Sequence, residues 1–215
     1  MSVYGMSRKS EIGISKLPRR RFLQVAVIVA GGAIATGAGV WALFPGGDDT
    51  DEIQSTDFGP LLVFDQARAA TVFAFADAAL PSGRGFPDAG EARVIQRLDE
   101  ELYFVSAEIR SDFRTVIDAL DLLPIVYGYF STFTALNRNR RLEFLRQTQA
   151  TSSETVRVIV GSLRMAVMMM YYGHASAWSA IGYDGPFEKD IEPVRSEQRD
   201  HYAERIGRAG PGDPA

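Results

Sequence analysis

An apolar segment of 23 residues, 22–44, constrains this chain more than any other feature, because only Gln24 and Thr36 interrupt it with polar side chains. As an α-helix it would be roughly 34 Å long, which is enough to cross the hydrocarbon core of a bilayer. Three arginines at 19–21 stand directly before it, and residues 45–52 after it contain four acidic side chains. We therefore expect the globular part of the chain to begin after residue 45, where about 170 residues remain for one domain.

Charge is distributed unevenly along the chain. Residues 1–45 carry six basic and one acidic side chain, whereas residues 46–215 carry 17 basic and 26 acidic side chains. This acidic body lacks the positive surface that nucleic acid phosphates require, so we expect no nucleic acid partner. The sequence contains no cysteine, which excludes disulfides, thiolate metal sites, iron–sulfur clusters and covalently attached haem c on this chain.

Arg19 and Arg20, followed by the spacer Arg21 and then by Phe22 and Leu23, resemble the motif of a twin-arginine export signal. The leader has the order of an export signal, which is a basic stretch, then an apolar stretch rich in glycine and alanine, and then a polar stretch. The basic residues before the apolar segment predict an N-terminus in the cytoplasm. The body would then lie on the periplasmic side of the inner membrane, carried across in a folded state by the twin-arginine translocase.

The apolar segment is also long enough to stay in the membrane. Trp41 lies near its far end, where an aromatic side chain suits the membrane interface. Ala33, Ile34 and Ala35, however, form the small-x-small pattern of a cleavage site. We predict an uncleaved anchor formed by residues 22–44, and a cleaved signal with a free periplasmic body is the alternative.

Apolar residues at helical spacing, without strand alternation, predict an all-α body arranged as an irregular helical bundle. The predicted domains are a signal and anchor at 1–45, a linker at 46–60, a helical domain at 61–187 and a polar, flexible tail at 188–215. Helices are predicted near residues 65–80, 88–103, 106–122, 137–149, 156–172 and 175–181, the fifth being the central one.

Several helix boundaries have specific signals. Asp65 and Asn137 are expected to be N-caps, and Pro124 is expected to end or kink the third helix. Capping boxes are expected at Asp88 with Glu91 and at Thr151 with Glu154. Gly182 is expected to end the last short helix in a left-handed conformation.

The sequence contains no recognisable catalytic set. Its two histidines, His174 and His201, lack the neighbouring ligands that a metal site needs. We therefore expect no catalytic residue, no metal and no cofactor on this chain, and His174 as a haem ligand is the alternative. A group of acidic residues is expected to be a solvated helix face that pairs with nearby arginines. This group consists of Asp99, Glu100, Glu101, Glu108 and Asp112.

A candidate partner interface lies toward the C-terminal end of the helical domain. Methionines on one face of the long helix more often fill a core, but they also make an adaptable docking surface. Aromatic density with glycine turns after this helix fits either a small core or interface anchors. The candidate interface residues are Met165, Met168, Met169, Tyr171, Tyr172, His174, Trp178 and Tyr183.

The stretch YYGHASAWSAIGYDGPF, residues 171–187, resembles the C-terminal signature of the gluconate 2-dehydrogenase subunit 3 family. The resemblance covers most of residues 65–187, and two upstream pieces agree with it, Ala76-Asp77 ahead of Leu80-Pro81 and residues 88–92. Ala175 departs from the pattern, which has proline after the histidine. The residues that fit the signature are Tyr171, Tyr172, His174, Trp178, Ile181, Gly182, Tyr183, Gly185 and Pro186.

The resemblance implies a non-catalytic small subunit of a periplasmic, membrane-bound sugar or alcohol dehydrogenase. The partner would be a large FAD-dependent subunit of the glucose–methanol–choline type, and a cytochrome c subunit with haem often completes such a complex. The small subunit would assist assembly and bring the large one across the membrane on its own export signal. The alternative is a stand-alone, membrane-anchored helical protein with a haem-binding or structural role.

Replacing Arg19 and Arg20 together by lysine is expected to stop export, because the translocase reads the guanidinium pair rather than positive charge alone. Cell fractionation should find the double variant in the cytoplasm. The matched control Arg21→Lys changes only the spacer and should leave export intact. Normal periplasmic delivery of the double variant would contradict the assignment of the signal.

Overall fold

The computed structural model describes residue 53 and residues 56–81, 83, 85–185 and 197–208. The predicted export motif with Arg19 and Arg20, the anchor and most of the linker lie outside these residues. No helix in the described ranges is both long enough and apolar enough to cross a bilayer.

Seven α-helices are described and the same residues contain no β-strand, which confirms the all-α class for this part of the chain. A 3-10 turn, Ser179–Ile181, continues from the sixth helix. The helices are α1 Gln66–Ala79, α2 Val94–Tyr103, α3 Ala107–Val126, α4 Arg138–Gln149, α5 Glu154–Tyr172, α6 Ala175–Trp178 and α7 Glu197–Arg208.

Helices α1 and α5 form the centre of the bundle, since each packs against α2, α3 and α4 as well as against the other. Helix α1 is rich in alanine, and Val72 and Phe75 within it have no exposed surface. A helix that is apolar on all sides is stable only when neighbours surround it. Helix α5 instead buries one stripe, which includes Leu163 and Val167, and leaves its other side to solvent.

The predicted N-caps at Asp65 and Asn137 are confirmed. The Asp65 side chain accepts a hydrogen bond from the Arg68 N–H at 2.8 Å, and Asn137 accepts one from the Arg140 N–H at 3.0 Å. Gly182 ends the 3-10 turn with a φ of 72°, as expected for a left-handed stop.

Three boundaries differ from the prediction. Asp88 and Glu91 exchange the expected reciprocal hydrogen bonds, but they stabilise a turn, and α2 begins only at Val94. Ser153, not Thr151, caps α5, because the Ser153 hydroxyl accepts from the Val156 N–H. Pro124 does not end α3 at once, because it lies inside the last turn and the helix continues to Val126.

The segment between α3 and α4 is held by polar side chains from both helices. The buried Arg141 donates to the carbonyl oxygens of Phe133 and Thr134 at 3.2 and 3.0 Å. Asp121 accepts from the N–H and hydroxyl of Thr134 at 2.9 and 2.6 Å. Burial raises the pKa of Asp121, and these hydrogen bonds lower it in part. Backbone groups that have no helical partner are thus satisfied by side chains.

Helix α7 was missed by the sequence analysis, which placed residues 188–215 in a flexible tail. Tyr202 is its buried residue, and its ring packs edge-on against Tyr103 of α2 with centroids 5.7 Å apart. Most other side chains of α7 are polar, and its apolar ones are Tyr202, Ala203 and Ile206, which share one face. Tyr202, the Arg199–Glu100 ion pair and the contact of His201 with Tyr103 hold α7 against α2.

Asp99 is fully buried, which corrects the prediction that it belongs to a solvated helix face. Its carboxylate accepts hydrogen bonds from the N–H groups of Leu62, Val63 and Phe64 at 2.8, 2.9 and 2.7 Å. It also accepts one from the Tyr202 hydroxyl at 2.7 Å. A buried carboxylate is tolerated when several donors surround it, and here four donors come from two distant parts of the chain. Glu101, Glu108 and Asp112 are exposed, as predicted.

Asp99→Ala is expected to lower the free energy of unfolding by about 3 kcal/mol or more, because it leaves three buried N–H groups without an acceptor. Urea unfolding followed by far-UV circular dichroism would measure the loss. Glu101→Ala removes an exposed carboxylate from the same helix and should change the free energy of unfolding little. Equal effects of the two variants would contradict the role assigned to Asp99.

Candidate functional site

Two large apolar side chains face solvent on the central helix. Met165 and Met169 are 63% and 61% exposed and lie one helical turn apart. Val167, which lies between them in sequence, and Leu163, which precedes Met165, have no exposed surface. The helix is therefore held rigidly by its buried face while Met165 and Met169, here called the methionine stripe, project outward.

The chain after α5 folds back into a compact aromatic turn, residues 173–185. The indole N–H of Trp178 donates to the Tyr172 carbonyl at 3.0 Å, and the Tyr183 N–H donates to the Trp178 carbonyl at 2.9 Å. The Trp178 and Tyr183 rings meet edge to face with centroids 5.2 Å apart. Gly185, which packs against the Trp178 ring, has a φ of 103°, a backbone conformation that residues with a side chain rarely adopt.

The candidate interface residues divide by exposure. Met165, Met169 and Tyr183 are exposed. Ile181, near Tyr183 in sequence, is 48% exposed. Tyr171 has no exposed surface, and its hydroxyl donates to the Pro87 carbonyl at 2.8 Å. A side chain without exposed surface cannot contact a partner of the folded chain, so the assignment of Tyr171 to the interface is corrected. The half-buried members are Met168, Tyr172, His174 and Trp178.

His174 has a structural role in the aromatic turn. It is the N-cap of α6, and its Nδ1 accepts from the Ser176 N–H at 3.3 Å and lies 2.7 Å from the Ser176 hydroxyl. Burial lowers the pKa of His174, and the charges of Arg97 and Arg93 lower it further. The neutral ring therefore carries its proton on Nε2 when Nδ1 accepts the cap hydrogen bond. Three potential metal-ligating side chains do not come together anywhere in the described part of the chain.

Exposed apolar residues outside the predicted set are also present. Phe130 is 71% exposed and has a φ of 50°, a left-handed conformation that is unusual for a residue other than glycine. Val126, at the end of α3, is 67% exposed. The chain turns after α3 at Gly128, whose φ is 82°. A glycine in the sequence indicates such a turn, but it does not show which neighbouring side chain will face solvent.

Comparison of the chain with protein-family models, with curated proteins and with solved structures finds no match.

The adjacent residues Tyr171 and Tyr172 provide a matched pair for testing the exposure pattern. Tyr171→Phe is expected to lower the free energy of unfolding by about 1–2 kcal/mol, because it leaves the buried Pro87 carbonyl without its donor. Tyr172→Phe makes the same chemical change at a half-buried position and should cost less. Urea unfolding of both variants would measure the difference, and a reversed order would contradict the burial of Tyr171.

Proposed function

We propose that this chain is a non-catalytic, membrane-associated subunit that binds a large FAD-dependent dehydrogenase and accompanies it to the periplasm. The dehydrogenase would be of the glucose–methanol–choline type and would act on a sugar or an alcohol. FAD, and haem c in a cytochrome subunit, would belong to the partner chains. The proposal rests on the resemblance of residues 171–187 and of the leader motif, together with the surface described above.

The methionine stripe is the structural observation that supports binding to a partner chain. Large apolar side chains that project from a rigid helix expose surface that water solvates poorly, and such surface is typical of a protein interface. Methionine adapts its shape to an opposing surface because its side chain is unbranched and flexible. Burial of the exposed part of each methionine on a partner would contribute about 1–2 kcal/mol.

The aromatic turn supplies a second contact of the kind that interfaces use. Tyr183 is 41% exposed, and Trp178 is half-buried beneath it. Internal hydrogen bonds hold this turn in one conformation, so few side-chain torsions would be lost on binding. Tyrosine and tryptophan are enriched among the residues that dominate binding energy.

The leader fits the same proposal. A twin-arginine signal carries folded cargo, and a flavoprotein partner that acquires its cofactor in the cytoplasm would have to cross the membrane folded. A subunit that carries the signal and binds the flavoprotein would deliver both. The alternative proposal is a stand-alone, membrane-anchored protein with a haem-binding or structural role, with His174 as the haem ligand.

The double variant Met165→Glu with Met169→Glu is expected to reduce the amount of copurifying flavoprotein at least about tenfold, because two carboxylates would be desolvated at the interface. Affinity purification of the tagged full-length chain from detergent-solubilised membranes, followed by flavin fluorescence, would measure the reduction.

Ile109→Glu with Val126→Glu is the matched control, since these α3 residues are 52% and 67% exposed. It introduces the same charges at exposed apolar positions on another helix and should leave the flavoprotein bound. Equal flavin recovery from both double variants and the native chain would rule out the methionine stripe as the docking surface.

A further inference from the structure

A cleft of about 630 Å³ opens between α2, α7 and the start of the aromatic turn. Arg93, the N-cap residue of α2, and Arg97, one turn later, line one wall, and Arg199 of α7 lines another. We call this space the arginine cleft. It is separate from the methionine stripe, because neither Met165 nor Met169 lines it.

The described residues that line the arginine cleft include three arginines and two carboxylates. Among the described residues, the carboxylates that line it are Glu100, which pairs with Arg199 at 3.3 Å, and Asp200. Neither Arg93 nor Arg97 forms an ion pair with a carboxylate of the described residues. Partial burial lowers the pKa of Arg97, and the nearby charge of Arg199 lowers it further. An anion bound beside Arg97 would offset the repulsion between the two guanidinium groups.

Arg97 is held in place before any ligand arrives. Its Nη1 donates to the Met170 carbonyl at the end of α5. A Cβ on residue 173 would lie 3.2 Å from Arg97 Nη2 and 2.8 Å from the Met169 carbonyl, so Gly173 allows the guanidinium to rest against the backbone. A guanidinium already fixed in position loses little conformational freedom on binding, which favours affinity.

The other side of the cleft is apolar. Trp178 of α6 and Ile206 of α7 line it, together with the methyl groups of Ala175 and Ala203. His174 is a further lining residue, and its Nε2–H is the donor that the neutral ring can offer. Guanidinium groups beside an indole and aliphatic side chains match a ligand that has a charged end and an apolar body.

We propose that the arginine cleft binds a small organic anion, with its carboxylate or phosphate group at Arg93 and Arg97 and its apolar body against Trp178 and Ile206. Guanidinium groups bind both kinds of anion through paired N–H donors, so the two share one recognition chemistry. The proposal does not depend on the docking of a flavoprotein at the methionine stripe.

Benzoate, phenyl phosphate and inorganic phosphate are suitable probes, and Trp178 is a reporter within the cleft. The full-length chain has two tryptophans, so the Trp41→Phe variant leaves Trp178 as the only one. Titration of this protein in detergent should show a saturable change in tryptophan fluorescence with the aromatic anions. Tighter binding of benzoate would identify a carboxylate ligand. Tighter binding of phenyl phosphate would identify a phosphate ligand. Inorganic phosphate should bind more weakly than phenyl phosphate, because it lacks the apolar body.

Arg93→Ala in this background should weaken binding of the tighter probe roughly tenfold, since it removes one charge-assisted contact. Because Arg93 has a φ of 50°, Arg93→Gly provides a second variant that suits this backbone conformation and also removes the guanidinium. The control Arg146→Ala removes an exposed arginine from α4, which does not line the cleft, and should bind as the parent does. Absence of saturable binding at millimolar probe, or equal affinity in the Arg93 and Arg146 variants, would overturn the proposal.

Discussion

The buried carboxylate of Asp99 is the interaction on which the rest of the structure depends. It joins α2 to the bent segment 62–64 before α1 and to Tyr202 of α7. The carbonyl oxygen of Val63 accepts hydrogen bonds from Nε and Nη2 of Arg114 at 3.0 and 2.7 Å. Burial raises the pKa of Tyr202, as does its hydrogen bond to Asp99, so the tyrosine stays a neutral donor.

Two surfaces follow from this arrangement. Residues 62–64 lead into α1 through the Asp65 cap, and α1 packs against α5, whose outer side carries the methionine stripe. Tyr202 holds α7 against α2, and the space between these helices and the aromatic turn is the arginine cleft. Polar interactions thus position two surfaces of different chemistry, an exposed apolar stripe and a cleft lined by arginines.

Local sequence signals predicted much of the fold. The caps at Asp65 and Asn137 depend on one side chain and the backbone three residues later, so they can be recognised without tertiary information. Asp99 could not be recognised in this way, because its partners lie more than thirty residues away in sequence and nothing in α2 indicates them. Helix α7 was not predicted because its apolar side chains are few, and its other contacts with α2 are made by the polar residues Arg199 and His201.

The candidate interface was predicted as a set of residue types, and the structure separates its members. Helical spacing placed Met165 and Met169 on one face, but spacing alone does not show whether a face points inward or outward. Tyr171 and Tyr172 are adjacent and chemically identical, yet only Tyr171 faces Pro87 across the core. Such differences depend on which neighbour packs against each face, and a single sequence contains little information about that.

The central claim is that this chain acts by binding a flavin-dependent partner and does not itself perform chemistry. Purification of the tagged, full-length chain from native membranes under mild detergent tests it most directly. The account predicts that a larger polypeptide copurifies, that the mixture has the absorption spectrum of FAD, and that sugar or alcohol oxidation follows the larger chain after separation. Recovery of the chain alone, with haem absorbance or with oxidising activity of its own, would contradict the account.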